Sequence, residues 1–175
     1  MKMRCKYNCG AGFTIVELVV VLAIMATLLS IATFAFHDWM LKSGVETQVR
    51  QMATDLNAVR LQSMTMKLRQ SVTINANSYV FKSYTSYNEP LTSGTLISGG
   101  SHTVVNSLQR INGSSVVPCA GEIYEIDQRG QLVGPTATII INTTTGSATV
   151  DCLNIYTVLV NPGKYDATAV KCNDQ

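Results

Sequence analysis

The residue that first invites a chemical reading is Glu17, the one charge in the run from Gly10 to Phe36, GAGFTIVELVVVLAIMATLLSIATFAF. An ionised carboxylate at bilayer depth costs roughly 2.5–3.5 kcal/mol on insertion scales, so an acid kept there points to a functional partner. Other chemistry-bearing residues are sparse. His37 and His102 are the two histidines, and neither has a second histidine or a carboxylate at a metal-ligand spacing. Glu122, Glu125 and Asp127 alternate along a strand-like segment and read as its solvated edge rather than as an acid–base pair. Asp151, Asn154 and Asn161 are too dispersed in sequence to argue for a calcium site. Nucleophile-elbow, Walker and dinucleotide-binding patterns are missing. No catalytic residue, no metal site and no cofactor are therefore expected.

The cysteines divide by position. Cys5 and Cys9 precede the apolar run, whereas Cys119, Cys152 and Cys172 follow it. Three thiols in an exported segment allow one bridge and one remainder. Cys152 and Cys172 stand symmetrically about Pro162 in what reads as strand, turn and strand, so the expected disulfide is Cys152–Cys172, facing across a hairpin, with Cys119 left over or an alternative partner.

The elements that must position these residues follow from periodicity. Phe13 to Phe36 is about 24 residues, roughly 36 Å as a helix, enough to span a hydrocarbon core of about 30 Å. Lys2, Arg4 and Lys6 lie ahead of it, against mixed charges at Asp38, Lys42 and Glu46 behind, which orients the N-terminus to the cytoplasm. A cleaved signal peptide fits less well, because the helical pattern runs on past Ala32 and Ala35. Trp39, with His37, reads as an anchor where the helix leaves the lipid.

Beyond Phe36, Val45, Val49, Met52, Leu56 and Val59 recur at alternating spacings of four and three, with Met66 one heptad later and Ser63 interrupting. This predicts an amphipathic helix whose stripe packs on the chain's own strands, with Gly44 as a soft point. From Ser71 the texture becomes short β-branched runs between turn residues. SVTI, SYVFKSY, HTVVNS, SSVVP, IYEID, ATIIIN, SATVDC, IYTVLV and DATAVK read as strands, and TTTG, NPGK and DQRG as turns. The expected organisation is residues 1–12 as leader, 13–36 as transmembrane helix, 37–70 as amphipathic helix and 71–175 as an antiparallel β domain. The chain of 175 residues carries 13 Lys and Arg against 11 Asp and Glu, a formal charge of +2. The three leader cations account for that excess, so the remainder is near −1 and a broadly basic nucleic-acid surface is not indicated.

A short basic leader ending in Gly12, followed by FTIVEL and an apolar helix, resembles the prepilin signal of type IV pilins and of the pseudopilins of type II secretion. The resemblance implies an α+β, pilin-like fold in which a long N-terminal helix, transmembrane then amphipathic, packs on the antiparallel β domain. It implies cleavage between Gly12 and Phe13 by a membrane-embedded prepilin peptidase and N-methylation of Phe13. It also implies that Glu17 meets the Phe13 amine of a neighbouring subunit during assembly. The partners so implied are other pilins or pseudopilins through the helix, the prepilin peptidase and an inner-membrane assembly platform. The implied location is the inner membrane, single-pass, with the C-terminal domain periplasmic.

Pro90, Pro118, Pro135 and Pro162 all lie outside the apolar helix, where many major pilins carry a kinking proline. QMATDLNAVRLQSMTMKLRQSVTI, IYEIDQRGQLVGPTATIIIN and IYTVLVNPGKYDAT are similar to the H-type minor pseudopilins, the GspH/FimT group, with Gly130 at a turn and Gly163 at the final bend. The group implies a structural subunit in protein secretion or pilus assembly. Its alternative is a pilus-borne DNA receptor acting in uptake, whose members use a Gly-Arg-x-Arg run. Here Gly163, Lys164, Tyr165 and Asp166 occupy those positions, so Lys164 is the one base left to meet a phosphate and the DNA reading is weakened.

Overall fold

The computed structural model describes residues 13–142 and 148–175, leaving aside the side chains of residues 31–35. The leader with Gly12, Cys5, Cys9 and its three cations lies outside the described residues, as does the Thr143–Gly146 turn. The described chain forms α1 (Ile15–Met66) followed by β1 (Arg69–Asn75), β2 (Ser78–Tyr84), β3 (Thr95–Thr103), β4 (Leu108–Asn112), β5 (Ser115–Pro118), β6 (Ala120–Ile126), β7 (Leu132–Val133), β8 (Ala137–Ile141), β9 (Cys152–Ile155), β10 (Val160–Asp166) and β11 (Lys171–Asp174). Two compact units result, Met1–Trp39 and Met40–Gln175.

In the first unit the described side chains of α1 are exposed from Ile15 through Ser30. Thr27 and Ser30 turn their hydroxyls back onto the carbonyls of Ile24 and Ala26, at 2.8 and 2.9 Å, which satisfies them without outside partners. Among the described residues no helix is long and apolar enough to cross a membrane.

The second unit is built of two antiparallel sheets, ordered β3-β2-β1-β6-β7 and β11-β10-β9-β8-β4-β5. The helical stripe supplies its core: Val45, Val49, Met52, Leu56 and Val59 are buried with Val72, Ile74 and Phe81 of the first sheet and Leu108, Ile139 and Leu153 of the second. An α+β architecture of helix on antiparallel sheets is what the alternation of helical and strand periodicities demands. The stripe stops earlier than expected. Ser63 is fully buried while Met66 is exposed, because Lys67 takes a left-handed φ of 55° and ends the helix there. β1 accordingly begins at Arg69 rather than Ser71. α1 is helical on both sides of Gly44.

Four strand expectations are corrected; in SATVDC residues 148–151 lie outside any strand and β9 begins only at Cys152. HTVVNS leaves the sheet after Thr103, and Val104 N–H instead donates to the Asn77 carbonyl at 3.0 Å. IYTVLV contains the turn between β9 and β10, closed by Tyr156 N–H donating to the Leu159 carbonyl at 2.8 Å. DATAVK is mostly the turn between β10 and β11, where the Asp166 carboxylate accepts from Thr168 and Ala169 N–H. Conversely NPGK lies within β10. Pro162 stands outside the register that β10 shares with β11, which runs from Gly163 to Asp166, so its missing N–H removes no bond from that ladder.

Candidate functional site

Local sequence fixes the start of α1. Glu17 N–H donates to Thr14 Oγ1 at 3.2 Å, and Leu18 N–H donates to the Thr14 carbonyl at 3.2 Å. Thr14 is therefore the N-cap, and Thr14-x-x-Glu17 has the spacing of a capping box. A carboxylate in the first turn is also favoured by the helix dipole. Sequence reasoning singled out Glu17 as a charge and missed its cap partner, although the three-residue spacing was there to be read. Phe13, 84% exposed, immediately precedes the cap. The arrangement presents exposed Phe13 and an exposed acid about one helical turn apart, with exposed apolar side chains behind them. It can take a cation supplied from outside the chain.

At the other end of the chain, Cys152 in β9 and Cys172 in β11 form a disulfide with Cα atoms 6.0 Å apart. It is not a bridge across a hairpin. β10 runs between the two strands, with Gly163 paired to Cys152 on one side and to Asp174 on the other. A Cβ at Gly163 would lie 2.7 Å from Cys172 Sγ and 2.4 Å from the Asn173 carbonyl oxygen. Gly163 is thus the residue over which the bridge passes rather than a bend. Cys119 is the free cysteine among the described residues, buried in the core, and burial pushes its thiol up to about 12.

Lys164 does not stand ready for a phosphate. Its Nζ donates to the Ala148 carbonyl at 2.8 Å and pairs with the Asp151 carboxylate. Asp151, itself buried, also accepts from Tyr165 N–H at 2.6 Å. The acids of β6 are likewise engaged rather than solvated at an edge, since β6 lies between β1 and β7. Glu122 pairs with Arg110 at 2.7 Å and Glu125 with Arg69 at 3.3 Å. Asp127 accepts from the N–H groups of Arg129 and Gln131 and holds the turn. Asn154 and Asn161, distant in sequence, converge on Asp174 at 2.6 and 3.0 Å. No group of three metal-capable side chains occurs among the described residues.

His102 was expected to have no carboxylate near it in sequence; the fold supplies one. Its Nε2 is 3.7 Å from Asp55 Oδ2, and its ring stacks on Tyr79 at 4.9 Å. Tyr79 OH donates to the same Asp55 oxygen at 2.6 Å. Burial, and then that carboxylate, push the Tyr79 phenol well above its ordinary range. The trio ties α1 to β2 and β3. It sits beside an open cleft of about 390 Å³, bounded by Met40, Leu41 and Gly44 on α1 and by His102 and Val105 opposite.

Residues 8–33 match the model of the prokaryotic N-terminal methylation motif. The chain therefore carries a type IV pilin-like prepilin signal, which Gly12, Phe13 and Glu17 all fall within. Proteins bearing that signal are in general substrates of a prepilin peptidase and interact with pilins. No curated protein and no solved structure matches the chain.

Proposed function

We propose that the protein is a minor pseudopilin of the H type, or an equivalent minor type IV pilin, and acts as a non-catalytic subunit of an inner-membrane-anchored filament. The methylation motif, residues 8–33, carries the reading: Glu17, the one acid in that stretch, stands exposed in the first turn of α1 among exposed apolar side chains. The prepilin peptidase cuts between Gly12 and Phe13 and methylates the new amine. Residues 13–36 then anchor the subunit, with its β domain in the periplasm, until the assembly platform draws it into the filament. There Glu17 meets the Phe13 ammonium of a neighbour, and a buried charge that is costly alone becomes compensated. Energy for extrusion comes from a separate ATPase.

The GspH/FimT assignment is supported by the amphipathic stripe of α1 packing against two antiparallel sheets. The DNA-receptor alternative loses support, because Lys164 is held by Asp151 and Asp166 replaces the second base. The test is mass spectrometry of the cell-extracted protein together with Glu17→Ala. A mature chain starting at methylated Phe13 is expected, and Glu17→Ala is expected to be inserted and cleaved normally yet enter filaments at a reduced level. An uncut chain, or unchanged incorporation of Glu17→Ala, would overturn the proposal.

A further inference from the structure

Arg60 joins three parts of the second unit. From α1 its Nε donates to the Gly130 carbonyl at 2.8 Å, in the turn between β6 and β7, and its Nη2 donates to the Val158 carbonyl, in the turn between β9 and β10. Gly130 in turn lies against Met64, since a Cβ there would be 2.9 Å from Met64 Cγ. Held in this way, the guanidinium keeps Nη1 without a hydrogen-bond partner among the described residues, and that nitrogen is not sealed from solvent. Among the described residues no carboxylate pairs with Arg60, whereas Arg69 and Arg110 each hold a glutamate. Partial burial lowers its pKa, because the charge has left water with only neutral carbonyls in exchange. Apolar side chains from the same elements surround this cation. Leu61, Val158 and Leu159 are each more than half exposed, and Met64 is partly exposed. They form a patch rather than the single scattered exposures that need no explanation. Arg129, exposed in the Gly130 turn, adds a second cation at the border, while the acid of that turn, Asp127, is occupied by the Arg129 and Gln131 N–H groups.

We propose that this patch docks a different protein through an Asp or Glu flanked by apolar side chains, with the carboxylate meeting Arg60. Charge complementarity selects that occupant. Apolar area alone would accept any apolar surface, but a guanidinium without an acid of its own favours a partner that brings one. A carboxylate matches the planar guanidinium in geometry as well as in charge. Arg60 is already ordered by two carbonyls, so docking costs little further side-chain entropy. A lipid surface recruits clusters of about four to eight cations, and a nucleic acid needs several phosphate contacts; Arg60 and Arg129 supply neither. The inference goes beyond the filament reading and stands on the second unit by itself.

The experiment is photo-cross-linking of the full chain in the cells that make it. Leu159 is replaced by p-benzoylphenylalanine, and the linked peptides are identified by mass spectrometry. A link to a different protein is expected, at a segment with an Asp or Glu beside apolar residues. Charge variants at exposed Leu61 test the sign without touching the hydrogen bonds of Arg60. Leu61→Glu should lower the yield at least fivefold, whereas Leu61→Lys should keep it within twofold, with both thermal midpoints unchanged. Equal losses in the two variants would mean an apolar contact that uses no carboxylate, and would overturn the proposal. A link only to lipid or to a second copy, a linked segment without an acid, or no link at all would overturn it too. An uncut leader in the same samples would sink the filament reading and leave this one standing.

Discussion

At the scale of single residues, Gly163 is where the covalent and non-covalent constraints meet. Gly163→Ala would set a methyl group 2.4 Å from the Asn173 carbonyl oxygen and 2.7 Å from Cys172 Sγ. Overpacking of this kind costs about 1–3 kcal/mol, and no side-chain rotation relieves contact with a backbone oxygen. A lowered urea midpoint at unchanged m-value is expected. Repeating the substitution with both Cys152 and Cys172 changed to serine should shrink the penalty without abolishing it; an equal penalty in both backgrounds would show that the bridge adds nothing to the crowding. Cys119 gives a second residue-scale prediction. Its thiol is 3% exposed and raised to about 12, by burial first and the Glu122 charge second, so the nucleophilic thiolate is scarce near neutrality. Iodoacetamide at pH 8 should leave Cys119 unmodified in the native protein and label it fully in urea, as read by peptide mass. Rapid native labelling would contradict the buried placement.

At the scale of elements, β11 is a short edge strand held by the disulfide and by a carboxylate. Asp174 lies below the usual carboxylate range because Asn161 first, then Asn154, donate hydrogen bonds to its ionised form. A depressed folded pKa means that this contribution is fully present above the unfolded value near 4 and is lost as pH falls through the folded value. Amide exchange in β11 should therefore accelerate, relative to the core strands, as pH drops below about 4. Asp174→Asn should remove that pH dependence, and an identical acid profile in the variant would place the sensitivity elsewhere.

The same region shows why elements were unevenly legible in sequence. The stripe from Val45 to Val59 was readable because a helix packing on a sheet needs its apolar residues at fixed local spacing. Pro162-Gly163 was misread as a turn because both are local turn formers. Their presence in β10 has tertiary causes: a bridge overhead at one, and the end of a ladder at the other. β4 went unnoticed because Arg110, paired with Glu122 across space, breaks the apolar texture of LQRIN. The methylation motif was legible because its residue types are themselves the function. The cleft was not, since it depends on Gln48 finding Asn106, 58 positions later.

At the scale of the whole molecule, the core of the second unit defines what must stay together. Val45, Val49, Met52, Leu56 and Val59 lie beyond Trp39 and are each at most 6% exposed. Burial stabilises by roughly 1.5–3 kcal/mol per such side chain, so the stripe contributes on the order of 8–15 kcal/mol. Domain stabilities are about 5–15 kcal/mol in total, and loss of the stripe would therefore consume the whole margin. A fragment of residues 40–175 is expected to be monomeric, to unfold cooperatively and to keep the Cys152–Cys172 bridge. A fragment of residues 60–175, which retains every strand, is expected to show no cooperative melt by circular dichroism and to expose Cys119 to alkylation. Cooperative unfolding of the shorter fragment would mean that the two sheets close a core without α1. The stripe would then belong to a surface used between subunits rather than to the fold of one.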